Sequence, residues 1–278
     1  MGSRSMAVFV ETEDLRVLID PGAGLDENRF GLSPHGLETW QLGKHWERIG
    51  LYAELADTVI LTHYHPVHHG MDSLALYRGK QLFVKNPNRA ISVDGRRNAF
   101  LFLEKIRGIS GEVTYADGRT HEAGGTTLAF SESVPHGSHT HEDHVIQVAV
   151  RSQDRVFCFC ADVHGFSDPA SMDFVISQDP DFLYLDGPET YRLPEPDPKH
   201  VLRQSLERID HVIRSTRIVR LLLDHHLLRD TAWKSRIEPL RDTVTRRSLI
   251  LQTAAEYRGE DNRLLEANRR RLYEGETL

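Results

Sequence analysis

Short apolar runs separated by turn residues define the elements that the sequence predicts. Two mostly apolar segments, 7–11 and 15–20, lie on either side of a polar segment, which predicts a β-hairpin ending at Pro21-Gly22. Residues 37–56 have a helical pattern, and the apolar run at 58–61 is typical of a buried strand. The chain therefore starts with strands to which a helix is attached.

A second β-rich region follows. Residues 112–162 have a mostly β pattern, including a hairpin whose strands at 145–150 and 155–160 flank a polar turn. The strand-like segments 182–185 and 218–223 are each preceded by a helical segment. This part of the chain thus also combines strands with helices.

Together these patterns predict an α/β fold, an αββα sandwich of two mixed β-sheets with helices on the outer faces. A strand at 81–85 and a helix at 98–106 complete the first part, and the chain after Trp233 is predicted to be mainly helical. The proline-rich segment 194–198 is interpreted as a local loop, so we expect a single domain over residues 1–278.

The composition is that of a soluble globular protein. The chain of 278 residues is 39% apolar and 27% charged, with a net charge of −7 that disfavours a nucleic-acid partner. The basic run 269–271 is interpreted as a solvated helix face. Apolar runs are too short for a membrane span, and two cysteines, Cys158 and Cys160, indicate a reducing compartment. We therefore expect a cytoplasmic location.

The most informative segment is a group of histidines that follows the strand at 58–61. His63, His65, His68 and His69 place four imidazoles within seven residues. The strand positions the backbone, and the following loop can aim nitrogen atoms at one point. Because neutral imidazole is the commonest metal ligand in proteins, this segment predicts a metal site.

Further ligand-type side chains come at the ends of other apolar runs. They are His136, Asp162, Asp186 and the adjacent pair His225 and His226. Elements that end at one edge of a sheet bring their loops together, so these side chains could converge on the same site.

This combination of motifs resembles the metallo-β-lactamase superfamily, and in particular a prokaryotic branch of metallo-hydrolases. The family pattern Thr-His-X-His-X-Asp-His corresponds to residues 62–68, and the later His, Asp and His follow in the same order. An early Asp-Pro-Gly turn is also similar to residues 20–22. The resemblance extends over most of the chain, from Phe9 to about Asp230.

The resemblance implies a metal-ligand set. His63, His65 and His136 correspond to the imidazoles of a first metal site, and Asp162 to a carboxylate that bridges two metals. His68 and one of His225 or His226 correspond to ligands of a second site, with His226 preferred. Asp20 would orient a ligand imidazole.

The chain departs from the family pattern at Val67, which stands where the motif has an aspartate that binds the second metal. Valine cannot bind a metal, so the second site is expected to be weaker or differently built. A histidine-rich loop after His136 adds His139 and His141, which could protonate a leaving group. The predicted catalytic residues are therefore Asp162, His139 and His141.

The leading hypothesis is a metal-dependent hydrolase that uses a metal-activated water on an ester, thioester, amide or phosphodiester of a small-molecule substrate. It predicts one or two zinc ions, with iron or manganese as alternatives. Val67 motivates two other hypotheses, an iron-dependent redox or other non-hydrolytic metalloenzyme and a non-catalytic ligand-binding protein.

Overall fold

Two β-sheets face each other in the computed structural model, which describes residues 2–70, 73–137, 143–193 and 200–277. The first sheet has five strands in sequence order, and only its first pair is antiparallel. Its strands are β1 (Val8–Glu11), β2 (Arg16–Ile19), β3 (Thr58–Leu61), β4 (Gln81–Val84) and β5 (Val113–Tyr115).

The second sheet has seven strands in the order β14-β13-β12-β11-β10-β7-β6. Strands β11 to β14 are parallel, whereas β6, β7, β10 and β11 pair antiparallel. A separate pair, β8 and β9, lies beside them. The bounds are β6 (Thr120–Ala123), β7 (Thr126–Phe130), β8 (Val134–Pro135), β9 (His144–Val145), β10 (Val148–Ser152), β11 (Arg155–Cys160), β12 (Phe182–Asp186), β13 (Arg220–Asp224) and β14 (Ile250–Gln252).

Helices cover the outer faces of both sheets. Because side chains alternate along a strand, Val59 and Leu61 of β3 pack with Ile49 and Phe102 of the helical layer, whereas Ile60 packs toward the second sheet. The helices are α1 (Gly36–Leu55), α2 (Val93–Ile106), α3 (Ala170–Gln178), α4 (Val201–Ser215), α5 (Trp233–Arg236), α6 (Arg241–Arg246), α7 (Ala254–Tyr257) and α8 (Arg269–Tyr273). None of these described helices combines the length and apolar character that crossing a membrane requires.

The predicted αββα sandwich is confirmed. The hairpin of β1 and β2, helix α1 and strand β3 lie where the sequence pattern places them. Helix α1 begins at Gly36 because His35 and Glu38 form a reciprocal capping box at its first turn. Helix α2 begins earlier than expected, and the C-terminal part contains a strand, β14, that the helical pattern does not predict.

The interpretation of residues 269–271 as a solvated face is wrong for Arg269. Its side chain is fully buried and makes two hydrogen bonds of 2.8 and 2.9 Å to the carboxylate of Glu38, while a third reaches the carbonyl oxygen of Leu32. Arg270 and Arg271 are exposed, as expected. The first arginine of the run therefore joins the C-terminal helix to α1.

Candidate metal centre

Most of the ligand-type side chains follow the carboxyl ends of strands in the two sheets. His63 and His68 follow β3, Asp162 follows β11, and His225 follows β13. His136 follows the short strand β8. The structure brings one ligand atom from each of these residues into overlapping groups whose members lie within 4.8 Å of one another.

Asp162 is at the centre of this arrangement. Its Oδ2 atom lies 3.1 Å from Nε2 of His136 and 3.3 Å from Nε2 of His63. Its Oδ1 atom lies 3.2 Å from Nε2 of His68 and 3.5 Å from Nε2 of His225. Four imidazoles thus present the same type of nitrogen to one buried carboxylate.

Asp20 orients two of these imidazoles. The Nδ1–H group of His68 donates to Asp20 Oδ2 at 3.1 Å, which turns Nε2 of His68 toward Asp162 and leaves it as the atom that can bind a metal. The hydroxyl of Thr62 donates to Asp20 Oδ2 at 2.6 Å and can therefore accept a hydrogen bond from Nδ1 of His63 at 2.9 Å. In both histidines a partner thus occupies Nδ1, which leaves Nε2 as the atom that can bind a metal.

A glycine allows the histidine loop to pack against the turn after β2. A Cβ atom at Gly22 would lie only 2.5 Å from the backbone of Val67, His68 and His69. Any larger residue would therefore move the loop that carries His68. This close contact is the physical reason for glycine in the Asp-Pro-Gly turn.

The charges in the centre depend on one another. Burial would raise the pKa of Asp162, but the neighbouring His68 and a hydrogen bond from His136 hold it well below its usual range. Burial would likewise lower the pKa of His68, yet the carboxylates of Asp162 and Asp20 raise it to about 10. In the absence of a metal, Asp162 is therefore an ionised carboxylate and His68 is an imidazolium. A metal that binds Nε2 of His68 would displace the proton on that nitrogen.

The donor set fits a transition-metal ion. Within the described part of the chain, Nε2 of His63, Nε2 of His68 and Oδ1 of Asp162 are buried without a hydrogen bond. A buried polar atom left unsatisfied costs about 1–3 kcal/mol, so three of them together favour a bound group. Imidazole and carboxylate ligands suit zinc, iron and manganese.

The structure separates the two adjacent histidines at the end of β13. His225 lies beside Asp162, and its Nε2 atom also accepts a hydrogen bond of 2.9 Å from Arg229. His226, which the sequence analysis prefers as the ligand, instead lies in a group with His164 and Asp186. The positive φ of 58° at His225 turns the chain between the two side chains.

Other predicted residues lie at the edge of the centre or outside the described residues. The ring of His65 has its centroid 6.3 Å from that of His63, and the residue is exposed. His139 and His141 lie in the segment 138–142, which is outside the described residues. Sequence reasoning missed Arg229 as the partner of His225, and it included Thr62 in the family motif without assigning it a role toward His63.

This fold and site define a protein of the metallo-β-lactamase fold. The diiron β-hydroxylase CmlA from Streptomyces venezuelae superposes with a TM-score of 0.52 at 15% identity, covering 89% of this chain and 51% of CmlA. An isothiocyanate hydrolase from Delia radicum gut bacteria gives a TM-score of 0.50 at 13% identity, with 91% and 95% of the two chains covered. At these identities the similarity establishes the fold.

The chain belongs to the UPF0282 family. It is 39% identical to a UPF0282 protein of Korarchaeum cryptofilum over 275 residues, which are 99% of this chain and 91% of the relative. A UPF0282 protein of Sulfolobus acidocaldarius is 35% identical over 278 residues, with 99% and 90% covered. No family model matches the sequence.

Proposed function

We propose that this protein is a metal-dependent hydrolase of a small-molecule substrate, acting on an ester, thioester, amide or phosphodiester. The observation that carries the proposal is the ring of imidazole nitrogens around Asp162, three of which lie within 3.3 Å of its oxygens. In His63 and His68 a partner occupies Nδ1, so that Nε2 is the atom turned toward Asp162.

His63, His68, His136 and Asp162 would hold the metal, with His225 as a further ligand once it releases Arg229. A divalent metal in such a site lowers the pKa of a coordinated water, to about 7 for zinc, and polarises the carbonyl or phosphoryl oxygen of a substrate. The carboxylate of Asp162 is ionised and can accept a hydrogen bond from the attacking water. His139 and His141 are the proposed proton donors to the leaving group.

The substrate is proposed to approach from the side of His136. The side chain of His136 is 24% exposed, whereas those of His63, His68 and His225 are at most 6% exposed. An apolar groove of about 810 Å³ lies along β1 instead, and none of the ligand-type residues around Asp162 lines it. The exposure of His136 therefore favours its side over the groove along β1.

Zinc is the proposed metal, with iron or manganese as alternatives, because the same donor types serve all three. The proposed location is the cytoplasm. The two cysteines support it, since both are buried free thiols, as expected of a protein from a reducing compartment.

The experiment is to measure metal content and hydrolysis together on purified full-length protein. A p-nitrophenyl ester, an acyl thioester, an anilide and bis-p-nitrophenyl phosphate represent the four bond classes. We expect zinc to co-purify, and turnover of at least one probe to disappear in Asp162→Asn and His136→Ala. The exposed His211 provides the matched control, since His211→Gln should keep both metal and activity.

Two results would contradict the proposal. Iron as the purified metal, together with oxygen consumption and no hydrolysis, would establish the redox alternative. Binding of a ligand without turnover by a metal-free protein would establish the binding-protein alternative.

A further inference from the structure

A second group of ligand-type side chains lies beside the Asp162 centre, formed by His164, Asp186 and His226. One ligand atom of each residue lies within 4.8 Å of the others, and all three residues are buried. They come from the ends of three neighbouring parallel strands, β11, β12 and β13. The fold therefore assembles this group in the same way as the first.

His164 is the unsatisfied member of the group. Within the described residues, neither of its ring nitrogens makes a hydrogen bond, although the side chain is only 8% exposed. A neutral imidazole has one donor and one acceptor, so burial leaves both functions unmet. Nδ1 of His164 lies 3.8 Å from Oε2 of Glu189, and this distance is too long for a hydrogen bond.

His226 and Asp186 are arranged as a ligand and its carboxylate partner. The Nδ1–H group of His226 donates to Asp186 Oδ1 at 2.8 Å, which leaves its Nε2 lone pair available. Within the described part of the chain, Asp186 Oδ2 accepts a hydrogen bond from the backbone N–H of His164 alone, at 3.0 Å. Since a carboxylate oxygen has about two acceptor positions, Oδ2 retains one for a cation.

The position of the His164 ring is closely constrained. His164 has a positive φ of 45°, a conformation that is uncommon for a residue other than glycine. On the other side, a Cβ atom at Gly137 would lie 2.5 Å from Cε1 and 2.6 Å from Nδ1 of the ring. The backbone next to His136 thus leaves just enough space for this imidazole.

We propose that His164, Asp186 and His226 bind a transition-metal ion, separate from the Asp162 centre. Two imidazoles and one carboxylate are a ligand set suited to zinc, with a further position open. Ligand atoms around tetrahedral zinc are roughly 3.4 Å apart, so small side-chain rotations would close the group around an ion.

This site is a neighbour of the Asp162 centre. The ring centroids of His136 and His164 are 5.7 Å apart, and those of His225 and His226 are 4.6 Å apart. An ion bound here would add positive charge next to the His136 side of the first centre. The assignment goes beyond the proposed hydrolase function, because it concerns a separate set of ligands.

The first test is zinc content per chain after equilibration with zinc and removal of the excess. We expect His164→Gln and Asp186→Asn each to lower the content by one ion per chain relative to the parent and to the His211→Gln control. Asp162→Asn should lose zinc from the other centre and keep this ion, which separates this proposal from the proposed function. Unchanged zinc content in His164→Gln and Asp186→Asn would overturn the proposal.

The second test does not depend on variants. Anomalous diffraction at the zinc edge from zinc-equilibrated crystals of the parent should show a peak between the rings of His164 and His226. The absence of a peak there in zinc-equilibrated crystals would also overturn the proposal. Circular dichroism of each variant checks that a lost ion does not merely reflect a lost fold.

Discussion

The rings of His225 and His226 stand at 89° to each other, with their centroids 4.6 Å apart, although the two residues are adjacent in the chain. His225 lies beside Asp162, and His226 lies beside Asp186. Two neighbouring imidazoles therefore belong to two different groups of ligand-type side chains.

We predict that substitutions of the two histidines have different effects. His225→Gln should lower the metal affinity of the Asp162 centre and reduce hydrolysis by at least about tenfold, since ligands and their immediate partners typically matter by 10–100-fold. His226→Gln should remove the ion bound at His164 instead. Combined with His164→Gln, His225→Gln should cause a further loss of metal, whereas His226→Gln should cause none. Equal losses in the two double variants would contradict the separation of the groups.

Asp20 should control metal affinity without binding the metal. Asp20→Asn removes the charge that holds Nδ1 of His68 and the acceptor of the Thr62 hydroxyl, so zinc affinity should fall by about 10–100-fold. Competition with a chromogenic chelator measures this change. Asp57→Asn is the control, because Asp57 is an exposed carboxylate paired with Arg16, and it should leave affinity unchanged.

The buried ion pair of Arg269 and Glu38 should be essential for stability. Arg269→Leu leaves the Glu38 carboxylate buried without its partner, and such a change typically costs about 3–5 kcal/mol in the free energy of unfolding. Arg271→Leu is the matched control, since Arg271 pairs with Glu276 at the surface and should change stability by less than about 1 kcal/mol. Urea denaturation measures the free energy of unfolding of both variants. Similar midpoints for Arg269→Leu and Arg271→Leu would refute the prediction.

Stability should decrease in mild acid through His45. Burial lowers the pKa of His45 to about 4, with Arg48 and Arg258 adding to the effect. Well above pH 6.5, at about pH 7.5, the histidine is almost entirely neutral in both the folded and the unfolded state and contributes almost nothing to the pH dependence. As the pH falls toward 4, His45 becomes protonated in the unfolded chain but stays neutral in the folded protein. The free energy of unfolding therefore decreases.

The expected loss from this residue between pH 7.5 and pH 5 is about 2 kcal/mol. His45→Gln keeps a side chain that can hydrogen-bond Gln41 but removes the titration, so the variant should lose less stability over this range than the parent. Urea denaturation at the two pH values measures the difference. An identical pH dependence in parent and variant would show that His45 does not contribute.

The sequence alone determined the architecture and the general location of the chemistry. Apolar runs with strand and helix periodicity predicted the hairpin, α1 and β3, because each element must bury one face. The histidines and aspartates at strand ends marked the site, since parallel strands deliver their following loops to one edge of a sheet. These properties depend on local pattern and can be read along the chain.

Only the tertiary structure decided the contacts made by chain segments far apart. The choice between His225 and His226 depends on a positive φ at His225 and on the distances to Asp162 and Asp186, neither of which spacing reveals. Arg269 is buried because its partner Glu38 comes from the first helix, and charge alone suggested a solvated residue. Local pattern reports which face of an element is apolar, whereas the partner of a buried polar group is set by packing across the whole fold.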